Sequence, residues 1–252
     1  MQFFEQLSHM WNTPFLLELF NKGEYTLFEI LLVLGLCWFV VPILVPYLLG
    51  SINSAVIISR VRYRDDVRSH GSGNAGMTNM LRTYGKGAAV ATLVGDVLKT
   101  VISVVFASLL MSCHIGGWIA ALFCMLGHIF PVYYQFKGGK GVLCAAAAIA
   151  VLSWETFLIL LLLFVAIVAM SKYVSLGSIV AAGMMPLIIN FINIVRASGI
   201  PEGTVLPPRF NGAIAVLIAI LVIWCHRGNI KRIQNRTENK LSFKKKSKDD
   251  AK

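Results

Sequence analysis

The sequence predicts an all-α, polytopic integral membrane fold, and three observations carry that prediction. Of 252 residues, 57% are hydrophobic and only 14% charged, whereas soluble domains carry about 25% charged residues. Mean hydropathy is +0.72, and apolar runs approaching the ~20 residues of a bilayer-crossing helix recur along the chain. The basic residues gather between those runs and in the tail, where membrane topology places them. This leaves no room for a separate soluble domain.

In order along the chain, residues 1–25 form an N-terminal extension that opens MQFFEQLSHMWNTPFLLELF. It lacks a basic n-region and a cleavage site, so it does not read as a signal peptide. Its Phe, Trp and Leu among polar residues predict a helix lying in the interface. The transmembrane region, 26–240, begins with a run over 26–58 that is over-long and contains Pro42 and Pro46, predicting a kink or tilt. Runs at 87–112 and 116–135 follow. The run at 141–153 has only 13 residues, which predicts a short or re-entrant helix covered by protein. Runs at 156–171, 174–195 and 212–226 bring the expected count to about seven transmembrane helices. Residues 241–252 form a basic tail suited to lie against anionic lipid.

Charge fixes the expected orientation. With the N-terminus outside, the inner segments 60–86, 136–140, 172 and 227–252 hold 19 Lys and Arg, against three outside, Lys22, Arg196 and Arg209. The positive-inside rule then puts the C-terminus in the cytoplasm. The same placement accounts for the net charge of +11 without nucleic acid. Cys37, Cys113, Cys124, Cys144 and Cys225 lie in or at the ends of apolar runs with no CxxC spacing, so they read as small buried residues. No His, Cys and carboxylate cluster has metal-ligand spacing, and neither a cofactor nor a metal is expected.

Two glycine-rich segments, GSGNAGMTNMLR (71–82) and FKGGKGV (136–142), fall on the predicted cytoplasmic face. Glycines such as Gly71, Gly73, Gly76, Gly138, Gly139 and Gly141 let backbone N–H groups converge on an anion, and helix N-termini add partial positive charge. Ser72, Asn74 and Asn79 offer neutral donors, and Arg82 and Lys140 offer fixed charge. KGGKGV lacks the spacing and the Ser or Thr of a Walker A loop. Each segment taken alone is also consistent with a tight turn, and each cation with a topological anchor. Their coincidence on one face favours an anion site. His226, where the last run meets the cytoplasm with Asn229 one turn on, is suited to act as general base or as positioning donor. His128 reads as a hydrogen-bonded structural histidine. Asp96 and Lys99 stand at i,i+3 within a span, either functional or a neutralising pair. No HxxxxD signature or activated Ser or Cys nucleophile is present, so an enzyme on this chain would work by positioning and electrostatics.

Five motifs in order, YLLGSINSAVIISR (47–60), RSHGSGNAGMTNMLRTYGKGAAVATLVGDVLKT (68–100), LGHIFPVYYQFKGGKGV (126–142), KYVSLGSI (172–179) and HRGNIKRIQNRTENK (226–240), closely resemble the bacterial acyl-phosphate:glycerol-3-phosphate acyltransferases, the PlsY family. The resemblance implies a seven-helix, multi-pass enzyme of the bacterial cytoplasmic (inner) membrane, with its site at the cytoplasmic face. It would pass a fatty acyl group from acyl phosphate to the 1-hydroxyl of glycerol 3-phosphate, forming lysophosphatidic acid, without metal or cofactor. The family's phosphate-handling loop falls on Ser72, Gly73, Asn74, Asn79 and Arg82, and its second basic contact on Lys140. Its later serine falls on Ser178, its C-terminal His and Asn on His226 and Asn229, and its first serine and basic residue on Ser51 and Arg60. The chain departs from the pattern at Gly228, where a glutamate is usual, at Arg236 in place of glycine, and in GSINSA. The expected chemistry is direct attack of the glycerol hydroxyl on the acyl carbonyl, with the proton passing to His226 or to a substrate phosphate oxygen. A small-anion transporter is the rival reading, but no inverted repeat supports it. A scaffolding role leaves the anion loops unexplained.

Overall fold

The computed structural model describes residues 40–110, 114–198 and 210–240, with isolated positions between 26 and 35. Expectations for the N-terminal extension and the basic tail lie outside the described residues. Among those described there is no strand.

A π-helical turn, Val40–Leu44, leads into α1 (Val45–Ser51), and a break at Ile52 and Asn53 separates it from α2 (Ser54–Tyr63). Pro42 sits in the π turn, and Pro46 opens α1, where a missing N–H costs nothing. Asn53 restarts the helix as its N-cap, its side chain accepting from Val56 N at 3.1 Å. The predicted kink is therefore a π turn followed by an outright break. Next come α3 (Met77–Tyr84), α4 (Lys86–Leu110), α5 (His114–Ile129), α6 (Val142–Leu152), α7 (Trp154–Ser171), α8 (Val174–Ser198), α9 (Asn211–Cys225) and α10 (Arg227–Gln234).

Each of the seven apolar runs contains helix. Among the described residues, five stretches are by themselves long and apolar enough to span a membrane: Val40–Tyr63, Lys86–Leu109, Ile115–Tyr134, Trp154–Ser171 and Val174–Ser198. A sixth requires α9 and α10 to count as one span despite the 55° bend between them. The bend follows the sequence, which turns from apolar at Cys225 to basic from Arg227. Helix α6, with 11 residues, rises only about 16 Å of a ~30 Å hydrocarbon core. It is tolerated because Cys144, Ala145, Ala147, Ala148 and Ile149 are covered by neighbouring helices.

The bundle is held by close helix crossings and an inner apolar cluster. Gly50 on α1 and Gly127 on α5 let two backbones touch. A Cβ on Gly50 would strike the Cys124 carbonyl, and one on Gly127 the Tyr47 carbonyl. Met125, Cys144, Ile149, Leu160, Met185, Ile189, Ile218 and Val222 join α5 to α9 in one core. By contrast only 11% of α7's apolar window is buried, the surface of a helix solvated by lipid.

Candidate active site

One end of the bundle holds a polar cavity of about 150 Å³, built from four separated segments. The first segment is the loop before α3. Asn79 is buried and donates both amide hydrogens, to Val67 O and His70 O at 3.0 Å each, while its oxygen accepts from Ser72 N at 3.1 Å. Arg68 pairs with Asp66 at 2.7 Å and donates to the Tyr134 and Lys137 carbonyls at 3.1 Å, fastening this loop to the second. That pairing holds the Asp66 carboxyl well below its ordinary value.

The second segment, 135–141, folds back on the end of α5, where Gly138 N donates to Ile129 O and Gly139 N to His128 O at 3.1 and 3.0 Å. Gly141 takes φ +75 as it caps α6, a conformation costly for other residues. Between these glycines Lys140 reaches across and donates to Asn229 Oδ1 on α10. Asn229 donates in turn to Glu238 Oε1 at 2.7 Å, and Glu238 also accepts from Ser175 Oγ at 2.8 Å and Arg232 Nε at 2.7 Å. Burial works to raise the Glu238 carboxyl, but the bonds from Asn229, Ser175 and Arg232 outweigh it and hold it low. Lys140 is pushed down to about 8, chiefly by burial, with Glu238 opposing.

His226 closes the site at the bend after α9. Its Nδ1 lies 2.7 Å from Val222 O, which can only accept, so the neutral ring carries its proton on Nδ1 and leaves Nε2 as an acceptor. Arg82 makes no ion pair among the described residues. Partial burial lowers it from its ordinary value, with Glu238 opposing, yet an arginine stays charged.

The structure therefore brings Ser72, Asn74, Gly76, Asn79, Arg82, Lys140, Gly141, Ser178, His226 and Asn229 to one cavity. Others are placed differently. Ser51 lies in the α1–α5 contact, donating to Tyr47 O at 2.8 Å, and does not line the cavity. Gly73 borders an outer mouth of about 290 Å³ with Arg227 and Arg232, and Gly138 a separate surface hollow. Gly71, at φ +58, packs against Asn79, and Arg60 pairs with Asp66 at 3.0 Å. Four of the six glycine amides are committed: Gly73 N to His70 O, Gly76 N to Asn74 O, and Gly138 N and Gly139 N to the α5 carbonyls of Ile129 and His128, and Asn79 commits both of its donors. For an anion the cavity offers the side chains of Arg82, Lys140, Ser72 and Asn74 and the backbone of Gly141. The first turns of α3 and α6, whose residues Met77, Thr78, Val142 and Leu143 line the cavity, add unpaired amides.

Sequence reading missed Ser175 and Phe164 in the wall, left Asp96 and His128, weighed as a functional or structural pair member and a structural histidine, outside the site, and placed Glu238 in a motif without a role. Ser175 stands three residues before Ser178, one helical turn, which was the only available signal. A second cavity, of about 190 Å³ and almost wholly apolar, runs between α6, α7, α8 and α9. It shares Val142, Leu143, Phe164 and Ser178 with the polar one. Among the described residues no cluster of ligating side chains could hold a metal ion.

The sequence profile of a family described as glycerol-3-phosphate acyltransferase matches residues 22–236. A glycerol-3-phosphate acyltransferase of Rhodopseudomonas palustris (strain HaA2) is 38% identical over 207 residues, covering 82% of this chain and 98% of the relative. One of Clostridioides difficile (strain 630) is 37% identical over 212 residues, covering 82% and 97%. Among solved structures, PlsY (YgiH), an integral membrane glycerol 3-phosphate acyltransferase, superposes in its glycerol 3-phosphate form with a TM-score of 0.69 at 32% identity. That match covers 80% of this chain and 94% of the other. Its lysophosphatidic acid form superposes at 0.65.

Proposed function

The chain belongs to the glycerol-3-phosphate acyltransferase family, and from that premise we propose that its cleft transfers a fatty acyl group from acyl phosphate to the 1-hydroxyl of glycerol 3-phosphate, releasing lysophosphatidic acid and phosphate. The observation that carries this reading is the junction of the two cavities. A head group with negative charge fits the polar one, a hydrocarbon chain fits the apolar one, and the shared wall at Val142, Leu143, Phe164 and Ser178 is where the acyl carbonyl would sit.

In this scheme the glycerol oxygen forms a bond to the acyl carbon while the bond from that carbon to the phosphate oxygen breaks. Arg82 and Lys140, with the first-turn amides of α3 and α6, take up the charge on the departing phosphate. Ser72 offers a neutral donor beside them. The hydroxyl proton passes either to His226 Nε2, the free acceptor in the wall, or to a phosphate oxygen of the substrate. Asn229 and Glu238 hold Lys140 in place. The basic bias of the loops supports a cytoplasmic orientation for this end of the bundle, and on the family reading the membrane is the bacterial inner one, where soluble glycerol 3-phosphate would enter from the cytoplasm and the acyl donor from the bilayer.

The test is lysophosphatidic acid formation by purified protein from palmitoyl phosphate and radiolabelled glycerol 3-phosphate, with acyl-CoA and acyl carrier protein thioesters as parallel donors. Product from acyl phosphate alone, lost in Lys140→Ala, is expected. Product from a thioester but not from acyl phosphate would overturn the donor, and an acyl group trapped on any side chain would overturn direct attack.

A further inference from the structure

At the wall of the polar cavity lies a cluster of buried ionisable groups that the scheme above does not use. Asp96 and Lys99 on α4 and His128 on α5 have side-chain exposures of only 1, 6 and 5%. The Lys99 ammonium has three hydrogens and three acceptors: Asp96 Oδ1 at 2.9 Å, the Ile52 carbonyl freed by the α1–α2 break at 2.8 Å, and His128 Nδ1 at 3.0 Å. Asp96 Oδ1 also accepts from Ser54 Oγ at 3.0 Å. The pair is thus neutral overall and all three Lys99 hydrogens are used, which makes it a poor anion hook.

One group is left with something to offer outward. Because Lys99 donates to Nδ1, the neutral imidazole of His128 must carry its proton on Nε2. That edge of the ring lies against Gly139, in the second glycine loop, with the Ala75 carbonyl of the first loop beside it. A Cβ on Gly139 would collide with Nε2 and crowd Ala75 O. The His128 carbonyl holds the same glycine from the backbone, accepting from Gly139 N at 3.0 Å. Gly139 immediately precedes Lys140.

We propose that Asp96, Lys99 and His128 form a positioning device for the anion site: Asp96 and Lys99 fix the tautomer and orientation of His128, and His128 sets the joint between the two loops from which Lys140 is presented. Asp96 and His128 reach the wall of the polar cavity, and their part in this proposal is to hold Lys140 in place. The inference rests on the acyltransfer reading for what Lys140 binds, but not for its geometry. Stability alone is a weak reason to keep such a pair, since replacing a buried ion pair by neutral residues of like size is often harmless.

The test uses the full chain in detergent. The double variant Asp96→Asn with Lys99→Met leaves no unpaired charge but frees the Ile52 carbonyl, so its thermal midpoint should fall by only a few degrees and the protein should remain folded. Its kcat/KM for glycerol 3-phosphate should fall by roughly 10- to 100-fold, mostly through KM, the usual effect of loosening groups behind a site. His128→Gln, which keeps a side-chain N–H, should retain more activity than His128→Leu. A second readout needs no turnover: protection of Lys140 by inorganic phosphate against an amine-selective reagent, followed by mass spectrometry, should need about tenfold more phosphate in the double variant. A folded double variant with wild-type kinetics and protection, or equal losses in the two His128 variants, would overturn the proposal. A shift in protection in a protein that transfers acyl groups from no donor would support positioning while overturning the reaction.

Discussion

In the proposed reaction Lys140 is the residue on which the chemistry turns. Burial disfavours its charged form and holds it at about 8, so it is protonated below that value and neutral above it. Phosphate binding needs the ammonium. Because kcat/KM reports the free enzyme and free substrate, it should level off above the phosphate's second ionisation, at about pH 6, and then decline through pH 8. The kcat profile should turn down at higher pH, because a bound phosphate dianion favours the charged form. Lys140→Arg, charged throughout, should lose the inflection even while its misfit lowers the rate. A kcat/KM that stays level from pH 7 to 9 in the wild type would remove Lys140 from the phosphate site. Asn79 acts differently. Its amide makes three loop bonds and offers the cavity no free donor. Asn79→Ala orphans loop groups that each cost about 1–3 kcal/mol when buried. The loop should become protease-sensitive between Val67 and Gly76, and the KM for glycerol 3-phosphate should rise at least tenfold. Unchanged proteolysis together with raised KM would instead mark Asn79 as a direct ligand.

Among the helices, the crossing of α1 and α5 is the tightest constraint. Gly127→Val would overpack it, and such insertions cost about 1–3 kcal/mol. The detergent thermal midpoint should fall by several degrees, and because Gly127 adjoins His128, whose carbonyl holds Gly139 N, the KM for glycerol 3-phosphate should rise as well. An unchanged thermal midpoint would show that the crossing tolerates the larger side chain. The contrast between elements explains what the sequence made legible. Lipid-facing helices such as α7 are written in composition alone, because an apolar solvent selects apolar residues along the whole length. The 13-residue run that became α6 was short enough to expose its partial span. The break at Ile52 and Asn53 was not readable. It falls inside a continuous apolar run, and its freed carbonyl is satisfied by Lys99, which lies 47 positions away in sequence. For the same reason the polar residues of the site were visible as motifs, but the use of glycine amides inside the loops was not. Backbone hydrogen bonding depends on how the loops fold, and glycine content says only that many conformations are open.

In the proposed function the whole molecule joins an anion site to an apolar slot open to acyl chains from the bilayer, and that junction sets how the acyl chain contributes. A chain taken from water would gain about 0.8 kcal/mol for each CH₂ buried. One taken from the bilayer gains almost none of this, because its surroundings were already hydrocarbon. Affinity should then come from the phosphate end, and the slot should act on chain length by shape. Ala182 is buried on α8 and lines the slot with Leu160 and Met185, so Ala182→Phe would fill part of its 190 Å³. The variant should lose kcat/KM steeply with palmitoyl phosphate and much less with a ten-carbon donor, while the KM for glycerol 3-phosphate barely moves. Wild-type protein should show little dependence on length across the same donors in bilayers. A uniform loss at every chain length would mean that the slot does not hold the acyl chain, and the carbonyl would have to reach Lys140 by a route outside α6 to α9.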